Sequence, residues 1–127
     1  MKRRILIVDD DTAFVEAVRA VLEANGYEVT AAAGGEEGLR WAREQPPDLV
    51  IADVMMDRLT EGLDVSRALA KLAECRNVPI LLVTGIRDVL HLPVALVPDD
   101  TWLPVRAVLE KPIKPERLLA EICRVLR

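Results

Sequence analysis

The chain has 127 residues, the length of one ordinary domain. Apolar residues make up 51% and charged residues 30%, which excludes a disordered chain and leaves enough side chains for a core. With 17 basic against 21 acidic side chains the formal net charge is -4, and aromatics are 3%, so a broad nucleic-acid or anionic-membrane surface is disfavoured.

Two cysteines, Cys75 and Cys123, cannot make a disulfide framework, and no Cys/His pair has metal-ligand spacing. Each is expected to be a small core residue. The opening MKRRILIVDDD has a basic lead, but three carboxylates interrupt its apolar run after four residues. That is too short for a signal peptide or a membrane span, so a reduced, cytoplasmic protein is expected, without membrane insertion.

The run Ile5-Leu6-Ile7-Val8 does not alternate, which suits a strand buried on both faces of a parallel sheet. Phe14, Val18, Val21 and Leu22 then recur at helical spacing, and Gly26 stops the helix. Val29 to Ala33 is a weaker strand, broken by Gly34-Gly35. A short helix over 36–44 is closed by Pro46-Pro47. Leu49-Val50-Ile51-Ala52 is a second buried run ending at Asp53, and a helix is predicted over 63–75 with Val65, Ala68, Leu69 and Leu72 inward. Ile80-Leu81-Leu82-Val83 is a third, ending at Thr84-Gly85. The stretch from Ile86 to Pro104 holds Pro93, Pro98 and Pro104 and is expected to be irregular. Val105 to Leu109 reads as a strand leading into Glu110-Lys111-Pro112, and Pro115 starts a last helix lined by Leu118, Ile122, Val125 and Leu126. Alternating strands and helices predict one α/β domain over 1–127, with a parallel sheet covered on both faces.

In an open parallel sheet ligands bind at the carboxyl ends of the strands. Those ends here carry Asp9-Asp10, Asp53, Thr84 and Lys111. Converging carboxylates repel by roughly 4 kcal/mol per pair at ~4 Å and an effective dielectric near 20. A hard divalent cation offsets this, and an all-oxygen set with few protein ligands suits Mg²⁺. A lysine and a hydroxyl beside a carboxylate nucleophile complete the parts needed for phosphoryl transfer to an aspartate. Asp11 reads more simply as a helix N-cap.

The segments ILIVDDD, DLVIADVMM around Asp53, ILLVTG and LEKP resemble the response-regulator receiver domain of two-component signalling, over about residues 2–126. The resemblance implies a doubly wound, five-stranded, flavodoxin-like sheet of order 2-1-3-4-5. It implies phosphorylation of Asp53 by a histidine kinase or phosphotransfer protein, with Mg²⁺ held by Asp9, Asp10, Asp53 and the Met55 carbonyl. Thr84 and Lys111 would contact the phosphoryl group, and the Lys111-Pro112 bond would be cis. Activity is expected to extend no further than the chain's own phosphorylation and dephosphorylation. The sequence as read ends after the last helix, so output is expected through an unknown downstream protein rather than through nucleic acid.

Four features depart from the family pattern. Met56-Asp57 replaces its Met-Pro, and Gly62 comes one residue late. Val108 occupies the position of the switch aromatic and cannot flip a ring. The segment between Thr84 and Lys111 is long and proline-rich, so the family's fourth helix is expected to be short, displaced or absent; Trp102 is expected under this loop and His91 on the surface. Met55 and Ile86 flank the expected path of the hydrolytic water, which predicts a long-lived phosphorylated state. Two other readings stay open: a receiver-like scaffold without phosphotransfer, and a haloacid-dehalogenase-like phosphatase using Asp9 in Asp9-Asp10-Asp11-Thr12. Against the second, Asp99-Asp100 precede Lys111 rather than follow it. Flavin binding is disfavoured because three aspartates would repel the cofactor's phosphate.

Overall fold

The computed structural model describes residues 2–53, 61–85 and 105–126. In chain order the elements are β1 (Arg4–Val8), α1 (Thr12–Ala24), β2 (Glu28–Ala32), α2 (Gly35–Glu44) and β3 (Leu49–Asp53). Then come α3 (Glu61–Lys71), a 3-10 turn (Ala73–Cys75), β4 (Ile80–Gly85), β5 (Ala107–Lys111) and α4 (Pro115–Val125), helices being numbered as described. The five strands are all parallel and lie in the order β2-β1-β3-β4-β5. This is the doubly wound, flavodoxin-like order that the resemblance implies.

Why the inner strands lack alternation is visible in the core. Ile5, Ile7, Leu49, Ile51, Leu81 and Val83 turn to one face, where Val15, Val18 and Leu22 of α1 and Leu118 and Ile122 of α4 cover them. Leu6, Val8, Val50, Ala52, Ile80 and Leu82 turn to the other, against Ala42 of α2 and Val65 and Leu69 of α3. With both faces covered, every side chain of β3 is buried. The edge strands β2 and β5 are only half-buried along most of their length, and there polar residues interrupt the apolar pattern.

Helix α1 ends as the Asn25-Gly26 pair predicts. Gly26 has φ +88°, its N–H donates to Glu23 O, and Tyr27 N–H donates to Leu22 O. These two bonds close a Schellman cap, which needs a residue tolerant of the left-handed region. Helix α2 packs closely on β1: a Cβ placed on Gly38 would lie 2.7 Å from Val8 Cγ2.

Several expected boundaries move. Strand β5 runs from Ala107 to Lys111 rather than 105–109, because it follows the parallel register Leu81↔Ala107 to Gly85↔Lys111, and an edge strand accommodates Glu110 and Lys111. Helix α3 occupies Glu61–Lys71 rather than 63–75, the chain tightening into the 3-10 turn before Cys75. Cys75 is buried as expected, but Cys123 is exposed. Only two residues of the last helix, Leu118 and Ile122, are fully buried, and position 123 lies off that stripe. The expectations for Met55, Ile86, His91, Trp102 and the irregular segment 86–104, and the Met56-Asp57 departure, lie outside the described residues.

Candidate functional site

The site forms where the buried strands end. Asp9 directly follows β1, its N–H anchored on Ala32 O at 2.9 Å, and it is buried. Asp53 is the last residue of β3 and is likewise buried. Asp10 is exposed beside them. Because β1 and β3 are adjacent parallel strands, their ends lie side by side, and carboxylate oxygens of Asp9, Asp10 and Asp53 come within 4.8 Å of one another. Such crowding of like charges is costly unless a cation lies among them.

Lys111 supplies one cation from the far edge of the sheet. Its Nζ donates to Asp9 Oδ2 at 2.8 Å, and lies 3.7 Å from Asp53 Oδ2 and 3.8 Å from Asp11 Oδ2. Burial opposes the charge on this ammonium, but the hydrogen bond to Asp9 and the charges of Asp9, Asp53 and Asp11 outweigh it and raise the pKa above the usual lysine value. The second oxygen of Asp9, Oδ1, accepts from Asp11 N–H at 2.8 Å. Asp9 is therefore held at both oxygens, which fixes its carboxylate against the start of α1.

Thr84 is fully buried in β4. Its neighbour Val83 pairs with Asp53, so the hydroxyl-bearing residue is at the same sheet edge one position beyond. Val108 lies in β5 opposite Leu82 and packs with the core on the α2–α3 side, three residues before Lys111. The Lys111-Pro112 peptide is cis. Asp9, Asp10, Asp53 and Lys111 are thus brought together, with Thr84 at the same edge, whereas Met55 lies outside the described residues.

Two residues beyond the expected set join this cluster. Asp11 is the N-cap of α1, its side chain accepting from Phe14 N–H at 3.1 Å, yet its other oxygen faces Lys111. The ring of Phe14 lies beneath the ammonium, with Nζ 4.4 Å from the ring centroid. The Phe14 signal was present only as an apolar helical position; nothing in its spacing distinguishes a ring under a lysine from a ring in the core.

Three carboxylate oxygens within 4.8 Å, two of them from buried residues, form an oxygen donor set suited to a hard divalent cation. A flavodoxin-like sheet with an acid cluster and a lysine at its carboxyl edge defines an α/β domain of the receiver type. A family model described as the response regulator receiver domain matches residues 5–123. The chain belongs to that family, the receiver domains of two-component systems.

Similar proteins fall in the same group. Response regulator MprA of Mycolicibacterium vanbaalenii is 41% identical over 129 aligned residues, covering 100% of this chain and 52% of the relative. MprA of Mycobacterium leprae is 41% identical over 126 residues, covering 98% of this chain and 51% of the relative. The chain thus spans about half the length of these curated relatives. Among solved structures, the chemotaxis response regulator CheY4 of Vibrio cholerae superposes with a TM-score of 0.80 at 28% identity, covering 99% of this chain and 100% of that one. A CheY-like receiver domain protein from Methanospirillum hungatei gives a TM-score of 0.80 at 30% identity, over 99% and 94% of the two chains. Among the described residues, no helix is long and apolar enough to cross a membrane.

Proposed function

We propose that this receiver accepts a phosphoryl group on Asp53 from the phosphohistidine of a histidine kinase or phosphotransfer protein. Asp9, Asp10 and Asp53 would hold Mg²⁺, with the Met55 carbonyl as a further ligand. The observation that carries the reading is the convergence of those three carboxylates, within 4.8 Å of one another, beside a lysine hydrogen-bonded to one of them. A bound Mg²⁺ would offset negative charge on the transferring phosphoryl oxygens.

The chain's own residues account for the rest. An oxygen of Asp53 bonds to phosphorus as the phosphorus–nitrogen bond of the donor histidine breaks, and the bonding pair stays with the imidazole. Asp53 suits this role because its backbone is fixed as the end of β3 while its side chain lies at the sheet edge. Asp9 suits it less, since Lys111 and the Asp11 N–H occupy both its oxygens. Lys111 moves its donor from Asp9 to a phosphoryl oxygen, and the Thr84 hydroxyl donates to another. The added charge of about -1.5 to -2 then biases the adjoining surface toward a downstream protein.

The test is incubation with Mg²⁺ and a small acyl phosphate, followed by intact mass. One phosphoryl adduct is expected, lost in Asp53→Asn and lost with EDTA. An adduct that survives Asp53→Asn would overturn the assignment. No adduct on the native chain would favour a non-phosphorylated scaffold, and turnover of a phosphomonoester dependent on Asp9 would favour the phosphatase reading.

A further inference from the structure

Lys111 faces more than carboxylates. Its Nζ lies 4.4 Å from the centroid of the Phe14 ring, within the range of cation–π attraction. The first turn of α1 places that ring. Asp11 caps the helix by accepting from the Phe14 N–H at 3.1 Å, and the same carboxylate approaches the ammonium through its other oxygen at 3.8 Å. Phe14 is half-buried and packs against the core shared by α1 and α4, so it cannot turn away freely. The ammonium is consequently seated between a capped helix turn and the ends of β1 and β3.

The chemistry of these neighbours differs in one respect. Asp9 and Asp53, which hold Lys111 on one side, are the carboxylates assigned above to a divalent cation. Once their charge is shared with such an ion, their attraction for the lysine falls, and the ion itself repels the ammonium. A ring face is neutral and ligates no hard cation, so its attraction for the ammonium is unaffected.

We infer that Phe14 is a positioning residue for phosphoryl transfer, its ring seating the Lys111 ammonium beside Asp53 when the acidic oxygens are committed elsewhere. This inference rests on the phosphoacceptor reading of the site. Phe14 itself touches no reacting atom and acts through Lys111.

The experiment has two arms. In the native protein, proton NMR of the Lys111 ε-methylene should show an upfield ring-current displacement, with and without Mg²⁺, that disappears in Phe14→Leu. An undisplaced resonance in the native protein overturns the seat whatever the variants do. In the second arm, phosphorylation by a small acyl phosphate is timed for Phe14→Leu and Phe14→Tyr, alone and with Lys111→Ala. Phe14→Leu should slow the reaction about three- to tenfold, the effect of losing one cation–π contact. Phe14→Tyr, which keeps the ring, should restore most of the rate. In the Lys111→Ala background Phe14→Leu should cause no further loss, because a residue acting through Lys111 has nothing left to position. An equal additional loss there, or an unchanged rate in Phe14→Leu alone, would defeat the inference. If the native chain takes no phosphoryl group while the ring-current displacement is present, the phosphoacceptor reading fails and the role falls with it, the seat remaining as a structural fact.

Discussion

Lys111 Nζ and Asp9 Oδ2 lie 2.8 Å apart, although their strands, β5 and β1, are separated in the sheet by β3 and β4. The bond joins residues 102 positions apart in sequence. It reaches across because Lys111 ends an edge strand while Asp9 lies just past the end of a central one, and both side chains meet above the intervening strands. The lysine therefore does two things at once: it lowers the repulsion among the acids, and it holds one oxygen of Asp9, competing with any cation for a carboxylate of the cluster.

Lys111→Met should expose that competition. Removing the ammonium leaves the carboxylates more negative, so Mg²⁺ should bind more tightly, by a few-fold to about tenfold for the loss of one nearby positive charge in a partly solvated site. Calorimetric titration with MgCl₂ at low ionic strength measures it. Unchanged or weaker binding would show that Lys111 does not compete for Asp9.

The same substitution changes the alkaline limb of the stability curve. Lys111 has a raised pKa in the folded chain, so its contribution is fully present below the usual lysine value near 10.5 and is lost as pH rises through the higher folded value. Tyr27, also raised, slopes the curve in the same direction. Denaturant titrations above pH 10 should therefore show a shallower decline for Lys111→Met than for the native chain, with the Tyr27 part of the slope retained.

Asp10→Asn separates crowding from structure. Asp10 is exposed, lies with the carboxylates of Asp9 and Asp53, and has no ion pair with Lys111. Its neutralisation removes two repulsions. Exposure limits the gain to on the order of 0.5 kcal/mol. Thermal melts without Mg²⁺ should move up by a few degrees, and saturating Mg²⁺ should stabilise the variant less than the native chain. Equal stabilisation of both by Mg²⁺ would remove Asp10 from the donor set.

Much of this arrangement is legible in the sequence. Buried strands such as Ile5-Leu6-Ile7-Val8 and Leu49-Val50-Ile51-Ala52 have no polar position because both faces are covered, and their abrupt ends at Asp9 and Asp53 locate the site. The sequence pattern puts β5 two residues early because an edge strand lacks that contrast, and Glu110 and Lys111 resemble a loop while pairing with Thr84 and Gly85. Cys123 differs from its expected place for another reason: its residue type favours the interior, but helical phase sets Leu118 and Ile122 inward and leaves position 123 facing out. Phe14 shows the limit of periodicity, which identifies an apolar face but not a cation resting on it.

The exposure of Cys123 has a measurable counterpart at Tyr27. Tyr27 Oη and Cys123 Sγ are 3.5 Å apart. The hydrogen bond with Cys123, then burial, raises the tyrosine pKa above its usual value of 10.0. Tyr27 is the sole tyrosine, so its phenolate absorbance reports directly. Cys123→Ala should move the titration midpoint down toward the ordinary value. A thiol reagent applied to the folded chain should modify Cys123 while sparing buried Cys75, and intact mass should show one addition until denaturant is present.

Gly38→Ala tests how tightly α2 is set against the strand that carries Asp9. Replacing a helical glycine with alanine ordinarily stabilises by up to about 1 kcal/mol. Here the new methyl would meet Val8 Cγ2 at 2.7 Å and Cγ1 at 3.1 Å. Val8 is fully buried, and its short, β-branched side chain has little freedom to move aside. Overpacking in such a place costs about 1–3 kcal/mol, which outweighs the helical gain. The net expectation is a loss of about 1 kcal/mol in denaturant unfolding. Because Val8 immediately precedes Asp9, the strain should also reach the acid cluster, weakening Mg²⁺ binding in the same variant. A Gly38→Ala chain at least as stable as the native one would mean that α2 lifts away from β1 at little cost.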